Sequence, residues 1–186
     1  MTVTVSERTF KNTLIEDVRA YGIKVANDTP LRTLAKHVLH LLVFSPGFSC
    51  VFWYRINRML SQRGWERSAK FLHARRFYKF ANDISYRAEI GPGLKVCHPS
   101  DIVIGANAKI GSYCKIFSGV TVGTKGEHES DIKPTIGNRV YMGVGSKILG
   151  GITIGDGAII GALTFCDKSV PENAVAYGNP MVIKEK

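Results

Sequence analysis

The stretch "KVCHPSDIVIG" sets His98 between Cys97 and Pro99, with Asp101 close behind. Histidine exchanges a proton near neutral pH, so one presented at a turn can draw the proton from a hydroxyl. A polar tract, "GTKGEHESDIKPT", covers 123–135 and adds Lys125, His128, Asp131 and Lys133. A lone histidine more commonly serves structure. Three features weigh the other way here: a break in a repeat, a backbone restricted by Pro99, and a polar loop from a later turn. His128 is the next candidate base.

Other reactive side chains offer less. Cys50, Cys97, Cys114 and Cys166 have neither metal-ligand spacing nor the density of a disulfide framework, and read as reduced thiols of a cytosolic protein. The five histidines form no compact metal motif. His37 and His40 share one face of a helix, without an acidic or cysteine partner at matching spacing. The sequence therefore predicts no metal.

The elements that position His98 follow from a period of six. Aliphatic or similar residues fall at Ile84, Ile90 and Val96, at Ile104, Ile110, Ile116 and Val122, and at Ile136, Met142, Ile148, Ile154, Ile160 and Cys166. Glycine follows directly at 91, 105, 111, 123, 137, 143, 155 and 161. Neither a helix at 3.6 nor an alternating strand at two gives this period. Hexapeptide repeats mark a parallel β-helix. Each unit makes a short strand and a corner, and stacked units bury one continuous column. The step is broken twice, at Val96 to Ile104 and at Val122 to Ile136. Those are the His98 segment and the polar loop, and loops leaving a rigid scaffold commonly carry function.

Residues 1–83 read as helices. "ERTFKNTLIEDVRAYG" sets Phe10, Leu14, Ile15 and Val18 on one face. The next run opens with Asp28 and Thr29 as caps and Pro30 in the first turn. A third begins at Ser45-Pro46 and ends at Gly64, and "WERSAKFLHARRFYKFAND" is a fourth. The chain thus divides into a helical region at 1–83 and a β-helix domain with a C-terminal tail at 84–186.

Charge is uneven between the two regions. Residues 1–83 carry 14 Lys/Arg against 6 Asp/Glu, or +8 of the total +10. Aromatic residues accompany them. The plain reading is an aromatic helix core with a solvated basic face. A membrane surface or an anionic ligand is the other reading, and no nucleic-acid motif is present. Leu34 to Tyr54 has the length of a membrane span, but Lys36, His37, His40, Ser45, Pro46 and Gly47 interrupt it. "MTVTVSERTF" lacks an apolar signal core. The expected location is the cytoplasm, with the inner face of the membrane as a further place of contact.

The stretches "HPSDIVIGANAKIG", "IFSGVTVGTKG", "PTIGNRVYMGVGSKILGGITIGDGAIIGA" and "VPENAVAYGNP" resemble the hexapeptide-repeat acyltransferases. Among these the chain is most similar to serine acetyltransferases and to the related O-acetyltransferases of capsule and exopolysaccharide synthesis. The resemblance implies a left-handed parallel β-helix, a homotrimer, and acetyl-CoA as donor. It implies His98 as general base, with a backbone N–H available to the oxyanion. It places the donor between subunits, along turns matching Gly143, Gly145, Ser146 and Ala162, with its end near Pro180 and Lys184.

The acceptor side departs from the serine pattern. Cys97 stands where those enzymes carry an acidic residue, and Ile132 and Lys133 stand where they carry an Arg-His pair. Lys133 offers a cation, and Asp17 or Asp101 offers a carboxylate. The sequence reading is therefore an O-acetyltransferase acting on a hydroxyl of a sugar or polysaccharide precursor. Serine acetylation on the way to cysteine is the alternative. A non-catalytic trimeric scaffold is the alternative from another class.

Overall fold

The computed structural model describes residues 10–126 and 133–185. Four helices come first: α1 (Phe10–Ala20), α2 (Leu31–Phe44), α3 (Pro46–Gln62) and α4 (Glu66–Phe80). Their apolar stripes explain their packing. Leu14, Ile15 and Val18 of α1 meet Leu34, Val38 and Leu41 of α2 and Phe48 of α3 in one buried cluster. Ser45 caps α3, accepting from the Phe48 N–H at 3.3 Å, with Pro46 in the first turn. The cap expected at α2 differs. The Thr29 hydroxyl turns back to the Ala26 N–H at 2.8 Å, and Pro30 precedes the helix without a side-chain cap. No single helix is long and apolar enough to cross a membrane, and α2 and α3 meet in a 119° bend.

Fifteen short strands follow among the described residues, all but the last in a left-handed parallel β-helix. The first coil is β1 (Asp83–Ile84), β2 (Glu89–Ile90) and β3 (Lys95–Val96). The second is β4 (Val103–Ile104), β5 (Lys109–Ile110) and β6 (Lys115–Ile116). The third is β7 (Thr121–Gly123), β8 (Thr135–Ile136) and β9 (Tyr141–Met142), and the fourth β10 (Lys147–Leu149), β11 (Thr153–Ile154) and β12 (Ile159–Ile160). The last coil holds β13 (Phe165–Cys166) and β14 (Val175–Tyr177), with Val170 bridging to Ile154. The strand β15 (Val182–Lys184) folds back antiparallel on β14. Strands in register make three flat sheets, and the second residue of each pair points inward.

The period of six has a physical origin. Two residues make the strand and about four turn the corner, and one corner residue adopts a left-handed conformation. Gly93, Tyr113, Arg139, Gly157 and Asn173 occupy that place along one corner, with φ between 55° and 77°. The inward aliphatics stack into one column from Ile84 to Ala176. Each buried isoleucine contributes roughly 1.5–3 kcal/mol through area removed from water.

The helices close one end of this column. A first coil has no preceding coil to satisfy its backbone, and buried carbonyls need donors. Side chains from the helices and the segment after them supply these. Arg55 donates to the carbonyls of Ile90 and Gly91, at 2.6 and 2.7 Å. Tyr54 and Arg58 both donate to Ala88 O, at 2.8 and 2.7 Å. Arg76 donates to Ile84 O, Tyr21 to Val96 O, and Asn82 to Pro99 O. Part of the basic N-terminal charge thus serves the β-helix rather than solvent. Gly47, in the first turn of α3, lies against β3. An added Cβ there would stand 1.9 Å from Val96 O, so only glycine lets α3 seat.

Candidate active site

The corner from the third sheet to the first spans 117–120, 143–146 and 161–164 in the later coils, four residues each. In the first coil it spans 97–102, which is six. The ladder shows where the extra two enter. Gly119 N–H donates to Ser100 O, Gly145 N–H to Ser118 O, and Leu163 N–H to Val144 O. Asp101, Gly119, Gly145 and Leu163 all have left-handed φ, from 56° to 71°. The regular corner therefore resumes at Ser100, and the surplus falls in Cys97-His98-Pro99. The insertion pushes His98 off the coil, where it is exposed.

The turn is nonetheless anchored. Cys97 N–H donates to Ile116 O, Asp101 N–H to Ala81 O, and the Asn82 amide to Pro99 O. The imidazole lies against the Phe117 ring, with centroids 6.2 Å apart and planes at 50°. Phe117 lies against Tyr141 at 5.0 Å. Neither ring nitrogen of His98 has a hydrogen-bond partner among the described residues. Both are open to a hydroxyl from solvent. Such a ring, with an aromatic neighbour on one side and no hydrogen bond to the described residues, is available to act as a general base.

Around it the expected residues divide. Asp101 is exposed and shares the turn. Lys133 lies elsewhere on the same protomer. Its stem covers Gly105, within 3.3 Å of where a Cβ would be, so it sits beyond the far end of β4 from the His98 turn. His128 lies outside the described residues. Asp17 does not reach an acceptor. It is fully buried; it takes two hydrogen bonds from Arg55, at 2.9 and 3.0 Å, and one from Gly93 N–H, at 2.8 Å. Burial alone would lower the Arg55 pKa, but Asp17 beside it raises it, so the guanidinium stays charged. Both carboxylate oxygens of Asp17 are engaged by Arg55, and one of them also by Gly93 N–H.

The residues expected along the donor also divide. Ala162, Pro180 and Lys184 are exposed. Gly143 and Ser146 are not. A Cβ on Gly143 would meet Ala162 N at 2.7 Å, so its glycine serves coil stacking. Ser146 is wholly buried, with its hydroxyl facing the interior and unpartnered, like that of Thr164. The sequence reading places Ser146 along the donor, and in this protomer its side chain presents no exposed atom there. Gly145 is partly open, and the space beside it is taken by the Leu163 side chain. The accessible edge is instead lined by Val144, Ala162, Leu163 and Tyr177.

Phe117, Tyr141 and Leu163 were not among the expected site residues. Phe117 had a visible signal: it follows Ile116 in a position that glycine usually holds in this repeat. Tyr141 and Leu163 had none, because their relation to the site comes from stacking between coils. No group of three or more His, Cys, Asp or Glu could hold a metal among the described residues.

Comparison with known proteins gives a consistent picture. No family model matches the chain. It is 33% identical over 145 residues to a serine acetyltransferase of Helicobacter pylori, covering 78% of this chain and 85% of that protein. It is 33% identical over 178 residues to serine acetyltransferase 4 of Arabidopsis thaliana, covering 96% of this chain. It spans 48% of that plant protein's length and 60% of a serine acetyltransferase of Synechococcus elongatus. The soybean serine acetyltransferase complexed with serine superposes with a TM-score of 0.78 at 32% identity, over 92% of this chain and 68% of that one. A serine acetyltransferase in complex with CoA gives a TM-score of 0.78 at 31% identity, over 93% and 69%. Identity above 30% in several relatives, with 85% of the Helicobacter pylori protein covered, shows that the chain belongs to the serine acetyltransferase family of acyltransferases.

Proposed function

We propose that the protein transfers acetyl from acetyl-CoA to the hydroxyl of serine, with His98 as general base. The observation that carries this is the two-residue bulge that presents the His98 ring with both nitrogens open. One ring nitrogen takes the proton of the acceptor hydroxyl as its oxygen attacks the thioester carbonyl. The tetrahedral intermediate collapses, the CoA sulfur leaves, and the imidazolium returns the proton to it. Family membership favours serine over the sugar or polysaccharide hydroxyl expected from sequence.

The acceptor would be held by groups from more than one copy. A serine zwitterion needs an anion and a cation. Asp101 on the His98 turn offers the first and Lys133 the second. They stand on either side of β4 in one protomer, and the reading takes Asp101 from one copy and Lys133 from the next. A homotrimer closed by rotation provides that arrangement. The exposed edge at Ala162, Leu163, Tyr177 and Pro180 supports a donor path toward Lys184, a cation suited to a phosphate.

The experiment is acetyl-CoA turnover against a panel of acceptors that includes serine, several free sugars and a polysaccharide. Saturable turnover with serine supports the reading. Turnover with a sugar and none with serine moves the acceptor to a glycan, in line with Cys97 in place of an acid. No turnover with any hydroxyl leaves the scaffold alternative.

A further inference from the structure

Helix α4 has two opposed stripes. Ala69, Arg76 and Phe80 are buried on one. Arg67, Phe71, Ala74 and Tyr78 make the other, and all four are exposed. Phe71 is 68% exposed and Tyr78 80%, and Trp65, just before the helix, is 60%. Aromatic rings left in water at this spacing are not scattered surface residues. Phe71 and Tyr78, seven positions apart, line one face of α4 over about 10 Å at 1.5 Å per residue, and Trp65 adds a further exposed ring at the start of the helix.

The same face is cationic. Lys70, Arg75 and Lys79 are exposed beside the stripe, and none pairs with a carboxylate of the described residues. Arg75 lies over the Phe71 ring at 5.9 Å. Glu66 is the only acid from 63 to 82, and it turns to Arg87 and Ser61.

We propose that this face of α4 is a docking surface for an anionic lipid bilayer. Aromatic side chains between lysines and arginines on one helix face suit the headgroup boundary, with rings toward the acyl region and cations at the phosphates. Face-to-face pairing with a second copy is the poorer arrangement, because placing this face on itself would set four cations against four with no facing acid. A nucleic-acid strand is also poorer, because strand binding uses a basic groove, and the face is one convex helix. The α4 end is tied to the His98 turn through Ala81 and Asn82, so docking brings the first coil toward the surface. The proposal does not depend on the acceptor.

The test is co-sedimentation of the full chain with vesicles, of phosphatidylcholine alone or mixed equally with phosphatidylglycerol. Binding to the mixed vesicles only, lost at high salt, is expected. One Lys or Arg near an anionic surface contributes about fivefold. Combining Arg67→Glu, Lys70→Glu and Arg75→Glu should then weaken binding by roughly 100-fold or more. Phe71→Ser with Tyr78→Ser should also weaken it, at unchanged net charge. Wild-type melting temperatures in both variants exclude unfolding as the cause. Equal binding to neutral vesicles, or variants that bind as wild type, overturns the proposal. So does failure to bind vesicles while an oligonucleotide, or a second copy, binds through the same residues.

Discussion

The imidazole of His98 rests on Phe117 with ring centroids 6.2 Å apart, and Phe117 rests in turn on Tyr141. The base has its aromatic neighbour in the next coil, while its nitrogens make no hydrogen bond to the described residues. His98→Ala should lower kcat by ~10²–10⁴-fold, the usual range for a general base. The melting temperature should hold, because the bulge adds nothing to the inward column. A folded variant with unchanged kcat would move the base elsewhere, with His128 next in line. Phe117→Ala should lower kcat less than His98→Ala does, with donor KM held.

Asp17 offers a sharp contrast. If it only holds Arg55, Asp17→Asn leaves a buried guanidinium without its counter-charge. Breaking such a pair costs roughly 3–5 kcal/mol. Denaturant unfolding should show that loss, while acceptor KM in the protein that remains folded stays near wild type. A large rise in KM with full stability would return Asp17 to the acceptor site.

The division of labour between copies is testable by mixing. His98→Ala and Lys133→Ala should each be inactive or nearly so alone. Co-refolded in equal amounts, they should regain about a quarter of wild-type activity, if each site takes His98 from one copy and Lys133 from the next in a closed ring. Sedimentation of the wild type should give a trimer of the 20.5 kDa chain. A monomer at micromolar concentration, or no recovery on mixing, would count against the shared site.

The four thiols should differ in reactivity. Burial pushes Cys114 and Cys166 up to about 11. It raises Cys50 as well, with Arg76 acting in the opposite direction. A raised thiol pKa means less thiolate at neutral pH. At pH 8 a small alkylating reagent should therefore label the native protein at Cys97, which is partly exposed beside His98. Peptide mass spectrometry should find the other three modified only on unfolding or as pH approaches 11. Labelling of Cys114 before Cys97 would contradict the packing described.

Much of the architecture was legible because the β-helix writes its period into the chain. An inward aliphatic at every sixth residue and a glycine after it are local requirements, visible at Ile110-Gly111 or Ile154-Gly155. The histidine was legible for the opposite reason, as a departure from that period. The corners were less so. Ser146 looked like a small residue kept for a ligand, yet it faces the core, because one residue's difference within a corner decides inside from outside. Asp17 looked like an available carboxylate. Its partner Arg55 lies 38 positions away, and Gly93 farther still, so only the assembled fold reveals that it is consumed. The basic N-terminal charge hid two populations: arginines turned onto the first coil, and those left on the outer face of α4.

The side chains that close the first coil have a consequence for how the protein is made. Tyr21, Tyr54, Arg55, Arg58 and Arg76 all precede β1, so they leave the ribosome before any coil exists. They are a ready surface on which the first turn can be laid, and each later turn matches the backbone pattern of the one before it. At the far end β15 runs against β14 instead of with it. A chain shorn of its helices would carry a raw starting edge, and unpaired edges of this kind template further strands. Its hazard would be filament formation by end-to-end stacking rather than simple unfolding, which light scattering would detect as growth without loss of sheet.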